Sequence, residues 1–295
     1  MINGFGKAIG FTQVEELGTI ETPIALTNTL NVFLVGDAIV EYMISNNPKI
    51  RSVNPIVGET NDGRLNDIQG RHVKKKHVFE AIKNAKSGPV KEGSVGAGTG
   101  TRSLGFKGGI GTSSRVLPKK LGGYSIGVLV QSNFGNSLVV NGAPVGRELS
   151  RTSFSSSIPY DDDEGSCMIV IATDAPLSNR NLKRIAKRAI IGIGKVGGYA
   201  SNGSGDYVIA FSTYKDTSND QLTIKRTSVR NNAMTSLFQA TVEATEEAII
   251  NSIFMAETIS SSIGKSEELP IDETIKILKK YKSLNWNKEL HPWKK

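Results

Sequence analysis

At 295 residues, 38% hydrophobic and 22% charged, the chain has the composition of an ordinary soluble globular protein, long enough for one large domain or two small ones. Its single cysteine, Cys167, excludes an internal disulfide and a zinc site of paired cysteines, and three scattered histidines, His72, His77 and His291, leave little material for a metal cluster or a serine–histidine dyad. The net charge of +8 is spread along the chain rather than gathered in one run, which argues against a nucleic-acid partner.

In chain order, "NVFLVGDAIVEYMIS" (31–45) and "VKKKHVFEAIKNAK" (73–86) predict two helices in the front half. "RHVKKKH" carries apolar residues at helical spacing and reads as a solvated helix face, as does "NLKRIAKRA" later. Glycine then concentrates between Gly93 and Gly142, and "YSIGVLVQS" (124–132) with "SLVVNG" (137–142) predicts a half-buried hairpin that turns at 133–136. "SRTSFSSSIPYDDDEG" (150–165) has the Ser, Pro and acid content of a flexible linker. "SCMIVIATDAP" follows as a strand, "LSNRNLKRIAKRAIIGIG" (177–194) as a helix capped by Ser178, and "GDYVIAFST" (205–213) as another strand. A long helix is expected over about 234–259, and the tail from Ile271 reads as a basic amphipathic helix plus an extension with no catalytic part.

No apolar stretch approaches the roughly 20 residues that span a bilayer, and the start of the chain lacks an export signal. No membrane partner and a cytoplasmic location are therefore expected. Paired strands and long helices, rather than pure strand–helix alternation, favour a layered α+β architecture.

Two glycine clusters invite a nucleotide reading and fail it. "GIGKVG" (192–197) follows a helix instead of turning a strand into one, and "GAGTGT" (96–101) lacks the Lys-Ser/Thr ending of a phosphate loop. No cofactor and no metal are expected.

The abrupt end of the linker at Gly165-Ser166 poses a chemical question. A serine hydroxyl is a poor nucleophile without a base, and no histidine stands near. Were the Gly165-Ser166 bond cut, Ser166 would begin a new chain whose α-amine, with an ordinary pKa of about 7.7–8.0, is partly neutral near pH 7 and sits on the nucleophile itself. An ordinary loop-to-strand junction explains the same stretch. Cys167 beside it falls on the opposite face of the strand, where a free thiol behaves as a small hydrophobe.

"VEELGTIETPIALTNTLNV", "IVGETNDGRLND", "GSVGAGTGTRSLGFKGGIGTSSRV", "GVLVQSNFG", "GAPVGREL", "GSCMIVIATDAPLSNRNLKRIAKRA", "NGSGDYVIAFST" and "LFQATVEATEEAIINSIFMA" occur in this order along nearly the whole chain to about residue 259. The set resembles the L-aminopeptidase/D-esterase and β-peptidyl aminopeptidase family. The resemblance implies a four-layer αββα sandwich, similar in chemistry to N-terminal nucleophile hydrolases but connected differently. It implies one domain over 1–295, processed at Gly165-Ser166 into 1–165 and 166–295, with Ser166 as nucleophile. Ser204 and Asp206 of "NGSGD" carry over as its partners, the first contacting the Ser166 amine and hydroxyl and the second orienting that pair. Without the family these two read as a turn. Asn133 of "QSNFG" carries over as the oxyanion donor, against a bland reading as a turn residue.

Two departures from the family stand out. Relatives have a further stretch, including early sandwich strands, before "NGFGK", so a chain lacking it is expected to leave sheet edge or core uncovered. In "GETNDGRLND" the places of Asn61 and Arg64 often hold aromatic residues, so a more polar substrate pocket is expected, with Glu59 the candidate partner for a substrate amine. The expected activity is an aminopeptidase or amidase acting on a small peptide, amide or ester, in a homo-oligomer such as a tetramer. The rival expectation is an unprocessed scaffold or binding protein.

Overall fold

A computed structural model describes residues 3–151, 164–215, 222 and 226–284. Most of the expected linker, the extension after Leu284 and His291 lie outside the described residues. The elements run β1 (Asn3–Gly4), α1 (Phe11–Leu17), β2 (Ile24–Asn28), α2 (Val32–Asn46), β3 (Ile56–Thr60), α3 (Lys75–Asn84), β4 (Arg102–Ser103), β5 (Phe106–Lys107), β6 (Ile110–Val116) and β7 (Ser125–Asn133). They continue with α4 (Val145–Glu148), β8 (Glu164–Thr173), α5 (Asn179–Ala186), α6 (Ala189–Lys195), β9 (Gly203–Ser212), α7 (Thr235–Phe254), β10 (Ile259–Ser260), β11 (Lys265–Ser266) and α8 (Ile271–Lys280).

The central sheet has the order β1-β9-β8-β7-β6, with β8 antiparallel to β7 and parallel to β9. One face is covered by α5, α6 and α7 through a core that includes Ile126, Val128, Val130, Ile169, Ile171, Ile185, Ile193 and Ile249. On the other face lies the parallel pair β2–β3, where a Cβ on Gly58 would stand 2.3 Å from the Met168 Cε. Beyond it, α2 and α3 close a second core of Val32, Val35, Ala38, Ile39, Val57 and Val78. Helix, sheet, sheet and helix therefore stack in four layers, the α+β sandwich expected from the sequence.

The helix stripe of small residues has a packing cause. A Cβ on Gly111 of β6 would fall 1.9 Å from the Ala248 carbonyl oxygen and 2.5 Å from the Ser252 nitrogen, so α7 lies on the sheet backbone to backbone. Ala240, Ala244, Ala248 and Ser252 are buried along that contact.

Three expectations change. The 124–142 segment is not a hairpin: β7 is already flanked by β6 and β8, so "SLVVNG" finds other partners, Val139 N–H bonding to the Val196 carbonyl and Val140 bridging Ala143. The 177–194 helix breaks after Ala186 into α5 and α6, although Ser178 does cap it by accepting from the Asn181 N–H. The long helix ends at Phe254, where a glycine at 93 lets its neighbour chain meet the Met255 carbonyl and Ser94 binds the Glu257 carbonyl. Strand–helix alternation also has a larger share than the sequence suggested, since β2-α2-β3 and β8-α5-α6-β9 are both parallel crossover units. Among the described residues, the edge of β9 beyond its short pairing with β1 has no strand beside it, and a groove of about 980 Å³ runs along it between α1 and α5.

Candidate active site

Strand register decides which side chains meet. Ser166 on β8 lies opposite Asn133 on β7 and Gly205 on β9, and residues paired across strands present their side chains on one face. Ser166 is 4% exposed, and its hydroxyl donates to the carbonyl oxygen of Gly165 at 2.6 Å. The Gly165-Ser166 bond thus lies inside a strand that begins at Glu164, not at a loop-to-strand junction.

Asn133 shares the face of Ser166 and is held at both ends. Its Oδ1 accepts the Arg102 N–H at 2.9 Å, and its Nδ2 donates to the Asn61 carbonyl at 2.9 Å. With the oxygen committed as acceptor, the amide nitrogen keeps a second N–H on the face that Asn133 shares with Ser166.

Gly205 brings a third segment over this face. A Cβ there would lie 2.6 Å from the Gly6 Cα and 3.3 Å from the Ser166 hydroxyl, so only glycine lets the N-terminal segment cross. A Cβ on Gly6 would in turn meet the Glu59 carboxylate at 2.8 Å. Glu59 is buried, with Oε1 accepting the Lys7 N–H at 2.7 Å and Oε2 accepting from the Thr29 hydroxyl.

Ser204 and Asp206 pair with Gly165 and Cys167 and so occupy the opposite face of the sheet from the Ser166 hydroxyl. The Ser204 hydroxyl donates to Asp206 Oδ1 at 3.0 Å, and a Cβ on Gly165 would sit 3.4 Å from that hydroxyl. Ser204 therefore lies beside the glycine of the Gly-Ser pair and binds Asp206, while the Ser166 hydroxyl turns to the Gly165 carbonyl. Burial pushes the Asp206 carboxyl above the usual carboxylate range, opposed by Ser204, by the nearby Asn3 amide and by the Cys167 N–H. Its Oδ2 is enclosed without a donor in bonding geometry.

Cys167 is 0% exposed in the helix-side core, and burial, with the charge of Asp206 adding to it, raises its thiol pKa well above normal. It is a packing residue, as strand alternation predicts. Of the outer candidates, Asn61 is exposed but joins the site through its carbonyl, whereas Arg64 is exposed and its carbonyl packs against Gly264. Among the described residues no three His, Cys, Asp or Glu side chains gather as a metal site. His72 binds Asp67 on the surface, and the His77 ring accepts the Lys74 N–H at an exposed helix start.

Sequence reasoning missed the supports. Asp62 is buried beneath Asn61, accepting from Asn28 at 3.1 and 3.2 Å and from Asn66 at 3.0 Å, and burial raises its pKa. The Asn-rich run "TNTLN" and the acid inside "TNDGRLND" were the available signals.

A buried serine on a strand of a four-layer sandwich, with the Asn133 carboxamide on the same face, offers the nucleophile and donor of a serine hydrolase. The model described as peptidase family S58 matches residues 1–266, and the chain belongs to that family. It is 41% identical over 299 residues to a β-peptidyl aminopeptidase of Sphingosinicella microcystinivorans, covering 96% of this chain and 75% of that one. Among solved structures, a Burkholderia sp. β-aminopeptidase is 39% identical with a TM-score of 0.86, over 95% of this chain and 79% of the other. The L-aminopeptidase D-Ala-esterase/amidase of Ochrobactrum anthropi, called a prototype for the serine aminopeptidases and a new variant among the Ntn hydrolase fold, is 34% identical with a TM-score of 0.87, over 96% of this chain and 80% of that one. The chain is a serine peptidase of this family.

Proposed function

We propose that the chain cuts itself between Gly165 and Ser166, giving 1–165 and 166–295 within one αββα domain, and then works as an aminopeptidase or amidase on small peptides, amides or esters. The observation that carries this reading is the Ser166 hydroxyl, buried 2.6 Å from the oxygen of its own preceding carbonyl. The names of the β-peptidyl aminopeptidase and L-aminopeptidase relatives support it.

In the first step the Ser166 Oγ bonds to the Gly165 carbonyl carbon as the Gly165–Ser166 C–N bond breaks, the hydroxyl proton passing to the released amine. Water then hydrolyses the ester to leave a Gly165 carboxylate. The free α-amine, beside Ser204, becomes the base for the hydroxyl of the same residue. Ser204 relays the proton, and Asp206 orients Ser204. Ser166 Oγ bonds to the substrate carbonyl carbon, the spare N–H of Asn133 stabilises the tetrahedral oxyanion, the amine or alcohol leaves with the relayed proton, and water hydrolyses the acyl-enzyme to free the acid and restore the hydroxyl.

Glu59 faces the segment over Ser166 and supplies the negative charge for a substrate amine, with Asn61 beside Asn133 making that end of the site polar. The working form in this reading is a homo-oligomer, supported by exposed apolar side chains such as Leu30 and Phe33.

Intact mass of the purified wild type beside a Ser166→Ala variant tests the proposal. Two fragments meeting at 165/166 in the wild type and one unbroken chain in the variant are expected; one full-length mass in both overturns it.

A further inference from the structure

β5 ends on a lysine that water does not reach. Lys107 is 0% exposed, and its Nζ donates to the carbonyl oxygens of Gly98 at 2.8 Å and Gly108 at 2.6 Å. Burial pulls its pKa down to about 7, at which point the neutral amine still has two N–H donors, enough for both carbonyls. A side chain that merely filled this space would be apolar, because enclosing an amine is costly unless its bonds are needed.

The two carbonyls lie at the ends of one loop. Gly108 N–H also bonds to the Thr101 carbonyl at 3.1 Å, and the Thr101 hydroxyl to the Gly98 carbonyl at 3.0 Å, so Lys107 closes a ring of backbone from 98 to 108 around its own amine. That ring is seated on the end of β7. Leu104 N–H binds the Phe134 carbonyl at 2.7 Å, Ser132 N–H binds the Gly109 carbonyl at 3.0 Å, and Arg102 N–H binds Asn133 Oδ1 at 2.9 Å. The last bond sets which end of the Asn133 carboxamide is the donor.

The charged groups around the ring are occupied elsewhere. Asp62, which packs against Gly100, is bound by Asn28 and Asn66. Glu267, whose carbonyl accepts the Lys107 N–H, sends its carboxylate to Arg151 and Lys265, and Arg102 carries its side chain on the exposed side of β4.

We propose that Lys107 is a positioning residue for acyl transfer, holding the 98–108 ring so that the Arg102 N–H fixes Asn133 with its amide nitrogen beside Ser166. The inference rests on the proposed oxyanion role of Asn133. It requires that Lys107 act on the transition state through Asn133 and not on substrate affinity.

The test is a double-mutant cycle on the processed protein with a p-nitroanilide of an unprotected amino acid as probe, using Lys107→Met, Asn133→Ala and the pair, with folding checked by circular dichroism. Expected are a tenfold or greater fall in kcat for Lys107→Met with KM changed less than threefold, partial recovery in Lys107→Gln, which keeps two N–H donors, and little further loss when Lys107→Met is added to Asn133→Ala. Additive losses, an unchanged kcat or a loss confined to KM overturn it. If neither Lys107 variant folds, the residue serves the fold and not the site, which also overturns it. A wild type that turns over while Asn133→Ala is equally active fails the oxyanion reading beneath; an active wild type matched by Lys107→Met fails this proposal alone.

Discussion

Ser166 and Cys167 are neighbours on one strand and live in opposite surroundings. The serine faces the space between the sheets, among an Asn133 carboxamide, two close-packed glycines and the Glu59 carboxylate beyond them. The cysteine faces the helices, in a core of apolar side chains, with the Ser204–Asp206 pair at its edge. Nucleophile strength follows surroundings more than element: the intrinsically better nucleophile is the thiol, and its burial keeps it protonated and inert. The two faces meet at the Gly165-Ser166 peptide, with the Ser166 hydroxyl on the Gly165 carbonyl and Ser204 beside Gly165, so cutting that bond is the step that would join them.

The largest effect on this contrast comes from removing the hydroxyl. Ser166→Ala is expected to abolish both self-cleavage and turnover, whereas Ser204→Ala, on the other face, is expected to slow both without ending self-cleavage; time-resolved intact mass separates the two. Equal abolition would mean that the faces are already coupled in the uncut chain.

Asn133→Ala comes next, with kcat expected to fall about a hundredfold and KM nearly unchanged, as for loss of one oxyanion donor. Steady-state kinetics on a peptide amide reads this, and a loss in KM alone would move Asn133 from the oxyanion to substrate binding.

Asp206→Asn sharpens the comparison through pH. A carboxyl whose pKa is raised by folding binds its proton more tightly in the folded chain, so its burial costs nothing below the unfolded value and costs progressively more as pH rises through the folded value. The variant is therefore expected to melt higher than the wild type at pH 7, to lose that advantage in acid, and to be slower in catalysis. Parallel melting curves across pH would show that the carboxylate is not destabilised.

The smallest effect belongs to the cysteine. Cys167→Ala is expected to cost about 1 kcal/mol of stability and to change turnover less than twofold. In the wild type the thiol should react with a disulfide reagent only after denaturation. Rapid labelling of the native protein would contradict its burial.

Much of the site was legible in the residues. Ser166 and Cys167 could be assigned to opposite faces from alternation alone, and Ser178 could be recognised as a cap. The placing of Ser204 and Asp206 behind the sheet could not, because it depends on β9 running parallel to β8 with a register that no local pattern states. The false hairpin at 124–142 has the same origin: "SLVVNG" has the propensity of a strand, but both edges of β7 were claimed, one by β6 just before it and the other by β8 beyond the linker. Lys107 went unremarked because a lone lysine in a glycine-rich run looks like a solvated loop. Its burial follows only from where the loop is seated.

The strand order of the central sheet settles what a cut at 165/166 would leave behind. Strands β8 and β9, which would belong to the second piece, are threaded between β1 on one side and β7 and β6 on the other, all from the first, and α7 of the second piece lies across β6 and β7. Two polypeptides so interleaved cannot drift apart in native buffer. A purification tag on either would retrieve both in equal amounts, and they should melt in one transition and separate only in denaturant.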